Sequence, residues 1–248
     1  SDGLVSLREA ITAANNTANG AGGADKILFS IAGSGPHSIA LASVLPTLTD
    51  AVIIDGSSEP DFAGTPVVEL NGAAVGGVPD DTHGLVLGSG SSGSTIKGLA
   101  INRFTGSAIQ VDSGSGNNLI TGNYLGTDTS GLVDLGNGKW GIDFKFSGGN
   151  NVVGGTTAAL RNVIGGNEYG GIALKGAAVT GNLVLGNYIG VGSDGTIALG
   201  NGFSGGIVFF NGATGRIGGV AAGEGNVIAN NSAAGISVVD GTATTLGN

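Results

Sequence analysis

Hydrophobic and polar residues alternate along most of this chain, and a period of two is typical of β-strands with one buried face. One strand pattern recurs after residue 84: a small residue, then an aliphatic residue, then alternation. Its copies begin at Leu85, Ile109, Ile142, Ile172, Ile207 and Ile236. No stretch of ten residues in 84–248 has the period of a helix. The pattern therefore predicts an all-β fold for this part of the chain.

A long repeat is superimposed on the strand pattern. The segment Asn118–Gly138 returns almost unchanged as Asn182–Gly202, 64 residues later. Asparagine pairs with four residues between them mark the repeat: Asn118/Asn123, Asn162/Asn167, Asn182/Asn187 and Asn226/Asn231. Their spacing divides each period into two coils of about 30 residues, one with a longer loop such as Asp194–Gly202. Such short coils favour a parallel β-helix, in which each coil buries its apolar face against its neighbours and matching asparagines form ladders.

The N-terminal residues predict a helix. Ser6 and Glu9 have the S-x-x-E spacing of a capping box. One apolar stripe follows at helical spacing, consisting of Leu7, Ala10, Ile11 and Ala14. Because so short a helix is marginal in water, we expect its stripe to dock on the open end of the solenoid.

These elements predict one continuous domain with an N-terminal cap. Residues 1–25 are expected to form the capping helix and a loop, and residues 26–248 the parallel β-helix, with the regular array in 84–248. Residues 57–83 are expected to form a looped early coil with one strand near Val67–Leu70, because Pro60, Pro66 and Pro79 interrupt strand pairing.

Composition narrows the class of protein. Glycine accounts for 52 of 248 residues, against a usual share of about 7%, which fits turns repeated on every coil. An apolar content of 40% with 11% charged residues argues against disorder. The net charge of −9, with basic residues scattered singly, argues against a nucleic acid or an anionic membrane as partner. Cysteine is absent, which excludes disulfides and thiol chemistry, and no segment has the length and hydrophobicity of a membrane span.

Two features resemble a known family. Val5–Ile11 is similar to the C-S-L-R-E-A segment that heads many bacterial secreted or surface proteins, with Val5 in the place of the cysteine. The downstream GNxI and GNYIG…ALGN repeats resemble the right-handed parallel β-helix repeats of the same proteins, within the pectin-lyase-like superfamily. The resemblance covers nearly the whole chain and implies a single-stranded right-handed parallel β-helix. It does not select a function, since this superfamily includes lyases, hydrolases and adhesins.

Outward side chains of such a fold stand in columns about 4.8 Å apart, one per coil. If the recurring isoleucines point inward, one column contains Gln110, Asp143, Ala173, Val208 and Ser237, and the next contains Asp112, Lys145, Lys175, Phe210 and Val239. Asp112, Asp143, Lys145 and Lys175 would then form one charged patch. Its carboxylates suit acid–base or cation chemistry and its lysines suit a sugar carboxylate, so the patch is a candidate sugar-acid site. The alternative is a solvated sheet face whose opposite charges offset each other.

A second candidate is a tyrosine column. The residues after the closing asparagines are Tyr124, Glu168, Tyr188 and Ser232. Tyr124 and Tyr188, two coils and therefore roughly 10 Å apart, are candidates for stacking on a sugar chain. Structural tyrosines at strand edges would explain them equally well.

No metal or cofactor site is predicted. Asp128 and Asp194 lie in Ser-, Thr- and Gly-rich loops, where turn hydrogen bonding explains an aspartate better than calcium does. His37 and His83, the two histidines, have no partner in sequence and are interpreted as ordinary. The glycine-rich runs match neither a P-loop nor a dinucleotide fingerprint.

Three hypotheses for function follow. The first is an extracellular or cell-surface structural and adhesive module that binds a polysaccharide or cell-surface glycan on its outward sheet face. The second is a lyase or glycoside hydrolase acting on acidic polysaccharide, although the chain lacks the G-H-G and paired-aspartate patterns of polygalacturonase-like hydrolases and an arginine–aspartate set like that of pectate lyases. The third is a fibre subunit, because no polar cap follows 241–248 and a homo-oligomer through that end is expected unless more chain covers it.

Overall fold

A computed structural model describes residues 5–78 and 82–248, and for residue 246 the backbone alone. The described chain contains one α-helix, α1 (Leu7–Asn16), and two 3₁₀ turns, Gly56–Ser58 and Ala158–Leu160. Its strands are β1 (Asp25–Leu28), β2 (His37–Ala40), β3 (Val52–Asp55), β4 (Val68–Asn71), β5 (Leu85–Leu87), β6 (Thr95–Lys97), β7 (Leu99–Asn102), β8 (Ile109–Asp112), β9 (Leu119–Thr121), β10 (Tyr124–Leu125), β11 (Trp140–Lys145), β12 (Val152–Gly154), β13 (Val163–Ile164), β14 (Gly170–Lys175), β15 (Asn182–Leu185), β16 (Tyr188–Ile189), β17 (Ile207–Phe210), β18 (Ala213–Gly218), β19 (Val227–Ile228), β20 (Ile236–Val238) and β21 (Gly241–Leu246).

The strands form three parallel sheets that wind into a solenoid. The first sheet has the order β1-β3-β6-β9-β12-β15-β18-β21, the second β2-β4-β7-β10-β13-β16-β19, and the third β5-β8-β11-β14-β17-β20. From β3 to β20 each turn contributes one strand to each sheet, so the molecule is a right-handed parallel β-solenoid of about seven turns. The predicted fold class is confirmed. The strand expected near Val67–Leu70 is β4, whereas Pro79 lies outside the described residues.

The third sheet has the predicted register. Ile142 pairs with Ile109 and Ile172, and Ile207 pairs with Ile172 and Ile236. The first four of these side chains are fully buried in the main hydrophobic core, and Ile236 packs against it. Stacking identical aliphatic residues one turn apart fills the core without changing side-chain volume from turn to turn.

Asparagine side chains connect successive turns in three ladders. At every step of each ladder, the side-chain oxygen of one asparagine accepts hydrogen bonds from both the backbone N–H and the side-chain amide of the asparagine one turn earlier. The ladders are Asn118–Asn151–Asn182, Asn123–Asn162–Asn187–Asn226–Asn248 and Asn137–Asn167–Asn201–Asn231. The predicted ladder is therefore confirmed, and there are three of them in the described residues.

The paired asparagines are not equivalent positions, which corrects the sequence interpretation. Asn118 and Asn123 belong to the first and second ladders, but Asn162 and Asn167 belong to the second and third. The first ladder is continued in the intervening turn by Asn151, which has no partner at the same spacing. The 64-residue period is two turns, as predicted.

Helix α1 closes the first turn. Ser6 and Glu9 form the predicted capping box, in which the Ser6 backbone N–H donates to Glu9 Oε2 at 2.8 Å. The stripe of Leu7, Ile11 and Ala14 is buried and joins the main core. Outside the stripe, both terminal nitrogens of Arg8 donate to backbone carbonyls of residues 43 and 44. The expected docking of the helix on the solenoid is confirmed.

Long loops occur on every second turn, after β10 and after β16. Each contains one antiparallel bridge, between Thr127 and Asp134 and between Val191 and Ala198. Asp128 accepts hydrogen bonds from the backbone of residues 132 and 133, and Asp194 from that of 196 and 197. Burial alone would raise the pKa of Asp128, but these hydrogen bonds and that from the hydroxyl of residue 130 outweigh burial and hold the pKa below its usual range. Both aspartates are engaged as turn residues, as the sequence indicates.

We expect Asn162→Ala to lower the free energy of unfolding by about 2–5 kcal/mol, because it leaves several buried polar groups without partners. Asn162 is fully buried, and its oxygen accepts the Asn123 N–H at 2.9 Å while its amide donates to Ile120 O at 2.9 Å. The control is Asn16→Ala, because Asn16 is an exposed asparagine at the end of α1. This variant should change stability by less than about 0.5 kcal/mol. Denaturant unfolding measures both; equal losses would show that the ladder adds no stability.

Candidate functional site

The outward face of the third sheet brings the four predicted charged residues together. Lys145 pairs with Asp112 on one side and Lys175 on the other. Asp143 precedes Lys145 by two residues on the same strand and therefore faces the same side of the sheet. The Gln110–Asp143–Ala173–Val208–Ser237 column forms in the predicted register. The charged patch predicted from the sequence is therefore a structural unit of three adjacent turns.

Asp143 and Lys175 form the central ion pair of the patch. Lys175 Nζ donates to Asp143 Oδ2 at 2.9 Å, and the aspartate side chain is 6% exposed against 23% for the lysine. Asp143 Oδ1 is buried and has no hydrogen-bond partner among the described residues. The carboxylate is therefore enclosed, and it holds the Lys175 ammonium beside it.

Asp112 has a different electrostatic setting. It accepts a hydrogen bond from Gln110 Nε2 at 2.9 Å and is only partly buried. Burial raises the pKa of Asp112, and the nearby Asp143 charge adds to the rise, while Lys145 and His83 oppose it. Two neighbouring carboxylates thus differ in accessibility.

Four aromatic rings lie beside the patch. Trp140 lies 6.4 Å from Phe210 in an edge arrangement and 6.3 Å from Tyr169, which in turn lies 5.8 Å from Phe203 (ring centroids). We call Trp140, Tyr169, Phe203 and Phe210 the aromatic row. Phe203 is 72% exposed and Tyr169 is 45% exposed, whereas Trp140 is buried at 4%. The row therefore presents two accessible rings supported by a buried one.

Trp140 occupies the outer face of the sheet because its neighbours leave room for it. Its ring packs on Ala173 and Val208. It also lies over Gly170, where an added Cβ would stand 2.5 Å from Trp140 Cζ3. Any other residue at position 170 would displace the ring. Lys175 Nζ lies 4.9 Å from the ring centroid, within range of a cation–π interaction.

The sequence interpretation missed the aromatic row and selected the other two tyrosines. A signal was present: one aromatic residue precedes the inward isoleucine in three successive turns, as Trp140 before Ile142, Tyr169 before Ile172 and Phe203 before Ile207. The separation grows from two to three to four residues, so a search for a fixed repeat position does not align them.

Three of the nine basic residues of the chain lie in or beside this patch, namely Lys139, Lys145 and Lys175. Burial lowers the pKa of Lys139, and the charges of Lys175 and Lys145 lower it further while Asp143 opposes them. Two carboxylates, Asp112 and Asp143, lie on the same face, and Asp143 pairs with Lys175.

The tyrosine column lies on the second sheet, away from the patch. Tyr124 and Tyr188 are two turns apart, as predicted, but Val163 stands between them and not Glu168, which corrects the predicted column. Tyr124 is 6% exposed, and burial raises its pKa. Tyr188 is partly buried, and the Arg161 guanidinium lies 4.0 Å from its ring centroid.

Both tyrosines are partly covered by the long loops. An added Cβ on Gly131 would lie 2.8 Å from the ring of Tyr124, and one on Gly195 would lie 3.1 Å from the hydroxyl of Tyr188. A cleft of about 250 Å³ beside this column is lined in part by Tyr124 and Arg161. The column offers less open aromatic surface than the aromatic row does.

No protein-family model matches this chain, and no curated protein matches it either. The class of protein that the structure defines is the parallel β-solenoid repeat proteins. Within the described residues, no helix is long and apolar enough to cross a membrane.

We expect Lys175→Met to destabilise the protein by about 1–3 kcal/mol, because Asp143 then stays buried without its counter-charge. Methionine keeps an apolar stem on Trp140. The double variant Asp143→Asn/Lys175→Met removes both charges and should recover most of the loss. The free energy of unfolding at neutral pH measures both variants. A double variant no more stable than the single one would contradict the assignment of the loss to an unpaired carboxylate.

Asp112→Asn tests the electrostatics of the second carboxylate. Because the pKa of Asp112 is raised in the folded state, the folded protein binds a proton at this carboxyl group more tightly than the unfolded chain does. The stability that this group contributes is present at low pH and is lost as pH rises through the folded pKa. The variant should therefore be more stable than wild type at pH 7, with the difference vanishing in acid. Urea unfolding at several pH values measures the difference in stability between the variant and wild type. A variant that is less stable than wild type at pH 7 would contradict this account.

Proposed function

We propose that this chain is a structural and adhesive β-solenoid module that binds acidic glycans on the outward face of its third sheet. The observation that carries the proposal is the combination of the aromatic row with Lys145 and Lys175 on one face. No other part of the described chain combines exposed rings with clustered lysines.

The rings supply an apolar surface for sugars. Aromatic side chains bury large areas and keep little conformational freedom, so they bind flat, weakly polar faces at low entropic cost. The ring of Phe203 packs against Tyr169, and Tyr169 packs against the buried ring of Trp140, so both exposed rings are supported. Their separation of 5.8 Å makes them one continuous surface.

The lysines favour an acidic ligand. Lys145 is exposed, and Lys175 is positioned by Asp143 and Trp140 so that its ammonium stays at the surface. A sugar carboxylate would gain charge-assisted hydrogen bonds from these groups. An uncharged glycan would leave the ammonium groups without that gain, so the proposal commits to uronic-acid-type chains.

Binding is favoured over catalysis by the burial of Asp143. A lyase or glycosidase needs carboxylates that reach the scissile bond, whereas one oxygen of Asp143 is bonded to Lys175 and the other is buried. The rival hypothesis of a lyase or hydrolase retains one favourable observation, the raised pKa of accessible Asp112, which suits a general acid. New reducing ends or unsaturated products from an acidic polysaccharide would establish that rival.

The resemblance of Val5–Ile11 to the C-S-L-R-E-A segment supports an extracellular or cell-surface location and membership of the pectin-lyase-like superfamily. The repeat pattern is typical of modules that extend a functional surface turn by turn. Self-association into fibres is the remaining alternative, and sedimentation of the free protein as a monomer would remove it.

The proposal predicts that an oligogalacturonide binds and that its methyl-esterified form binds at least about tenfold more weakly, since esterification removes the carboxylates. Binding should also weaken with added salt. Phe203→Ala and Tyr169→Ala should each weaken binding about threefold to tenfold, the range expected for an aromatic contact. Isothermal titration calorimetry measures all of these.

The matched control is Phe146→Ala, an exposed phenylalanine beyond the opposite end of β11, which should leave affinity unchanged. Tyr188→Ala tests the tyrosine column in the same assay. No binding by any acidic oligosaccharide, or loss only in Tyr188→Ala, would contradict the proposal.

A further inference from the structure

We propose that His37, Glu59 and Asp61 form a binding site for a divalent transition-metal ion, with Zn²⁺ as the best match, between the first two turns of the solenoid. His37 begins β2, and the two acidic residues follow the 3₁₀ turn after β3. One ligand atom from each residue lies within 4.8 Å of the others. The sequence interpretation treated His37 as ordinary because its partners lie more than 20 residues away.

An unpartnered nitrogen points into this cluster. His37 Nε2 is buried and has no hydrogen-bond partner among the described residues, and the side chain is 9% exposed. The Glu59 side chain is 1% exposed. Within the described chain, His37 is the sole basic group paired with Glu59 within 4 Å. A buried carboxylate facing a bare imidazole nitrogen lacks a counter-charge, and a cation between them supplies it.

The distances favour a shared ion over a direct contact. His37 Nε2 lies 3.7 Å from Glu59 Oε1 and 3.6 Å from Asp61 Oδ2. A protonated imidazole hydrogen-bonded to either carboxylate would stand at about 2.7–3.2 Å. Ligand atoms at about 2.0–2.2 Å from a tetrahedral zinc ion are instead about 3.3–3.6 Å from one another. The observed separations lie at or just above the upper end of the second range and outside the first.

The carboxylates are held in place by the backbone. Ile31 N donates to Glu59 Oε2 at 2.9 Å, and Gly35 N donates to Asp61 Oδ2 at 2.7 Å. Ligands oriented by such hydrogen bonds need little rearrangement when an ion binds. The Ile31 bond also leaves Glu59 Oε1 as the oxygen directed at His37.

The donor set selects the class of metal. One imidazole nitrogen with two carboxylate oxygens suits zinc and its neighbours, whereas calcium and magnesium prefer six or more oxygens, several from water. The Asp61 side chain is 41% exposed, so a fourth position open to water lies on the solvent side.

The site occupies the part of the solenoid that the asparagine ladders do not reach. The ladders start with Asn118, Asn123 and Asn137, which accept from backbone groups of the turn before them. In the first two turns, Glu59 and Asp61 take the corresponding role by accepting from the β1–β2 connection. A metal ion here would join the start of β2 to the β3–β4 connection, and its inferred role is to stabilise the N-terminal turns.

The test uses protein without a polyhistidine tag, stripped with a chelator and titrated with Zn²⁺ by calorimetry. We expect one ion per chain with a dissociation constant in the micromolar range or below, and a rise in the unfolding temperature with Zn²⁺ but not with Mg²⁺. His37→Gln and Asp61→Asn should each weaken binding at least about tenfold. Co²⁺ in place of Zn²⁺ should give the visible absorption of a low-coordinate nitrogen–oxygen site, and His37→Gln should abolish it.

Two controls separate this site from adventitious binding. His83→Gln removes the other histidine, and Glu168→Gln removes an exposed carboxylate; both should bind Zn²⁺ like wild type. Asp61→Asn keeps an oxygen for the Gly35 N–H, so its fold is preserved and circular dichroism should confirm this. No Zn²⁺ binding by the stripped protein, unchanged affinity in His37→Gln, or preference for Ca²⁺ would each overturn the proposal.

Discussion

The structure depends on satisfying buried backbone groups at the corners where the chain turns from one sheet to the next. Strands of two to six residues leave corner N–H groups without ladder partners, and a buried unpaired group costs about 1–3 kcal/mol. The asparagine amide solves this problem because it accepts from a backbone N–H of the preceding turn and donates to a carbonyl of that same turn, as Asn123 does toward Leu99 and Ile96. Because each ladder repeats an asparagine from one turn to the next, every added turn satisfies the corner groups of the turn before it.

This solution separates what the inside needs from what the outside can vary. From β8 onward the inward isoleucines and corner asparagines recur from turn to turn, so outward side chains are free to differ. On the third sheet, Trp140 pairs in register with Gly170, and the rings of Tyr169 and Phe203 follow it in successive turns. Differences between repeats mark a candidate ligand surface better than the repeat itself, because the repeat is required by the fold.

Sequence reasoning reached the fold, the helix cap and the register of the third sheet because each is encoded by local periodicity. The Ile109–Ile142–Ile172 alignment fixed the charged patch without any coordinates. It did not reach Trp140, whose ring leaves the regular alternation to lie over Gly170.

Contacts between irregular loops were also beyond a periodic pattern. The meeting of His37 with Glu59 depends on the path of two connections that share no repeat. The predicted alignment of Glu168 with Tyr124 was wrong for a related reason, since Val163 takes that place. Loops of unequal length change which asparagine of a pair aligns with the next turn. Register across unequal loops is decided by packing in three dimensions and not by spacing.

The central claim is that the third sheet is the ligand-binding face of this solenoid. Hydrogen–deuterium exchange with and without a saturating acidic oligosaccharide tests it most directly, because protection reports where the ligand contacts or orders the chain. The account predicts added protection in 139–145, 169–175 and 203–210 and no change on the second sheet. Protection confined to the segments around Tyr124 and Tyr188, or no change anywhere, would contradict it.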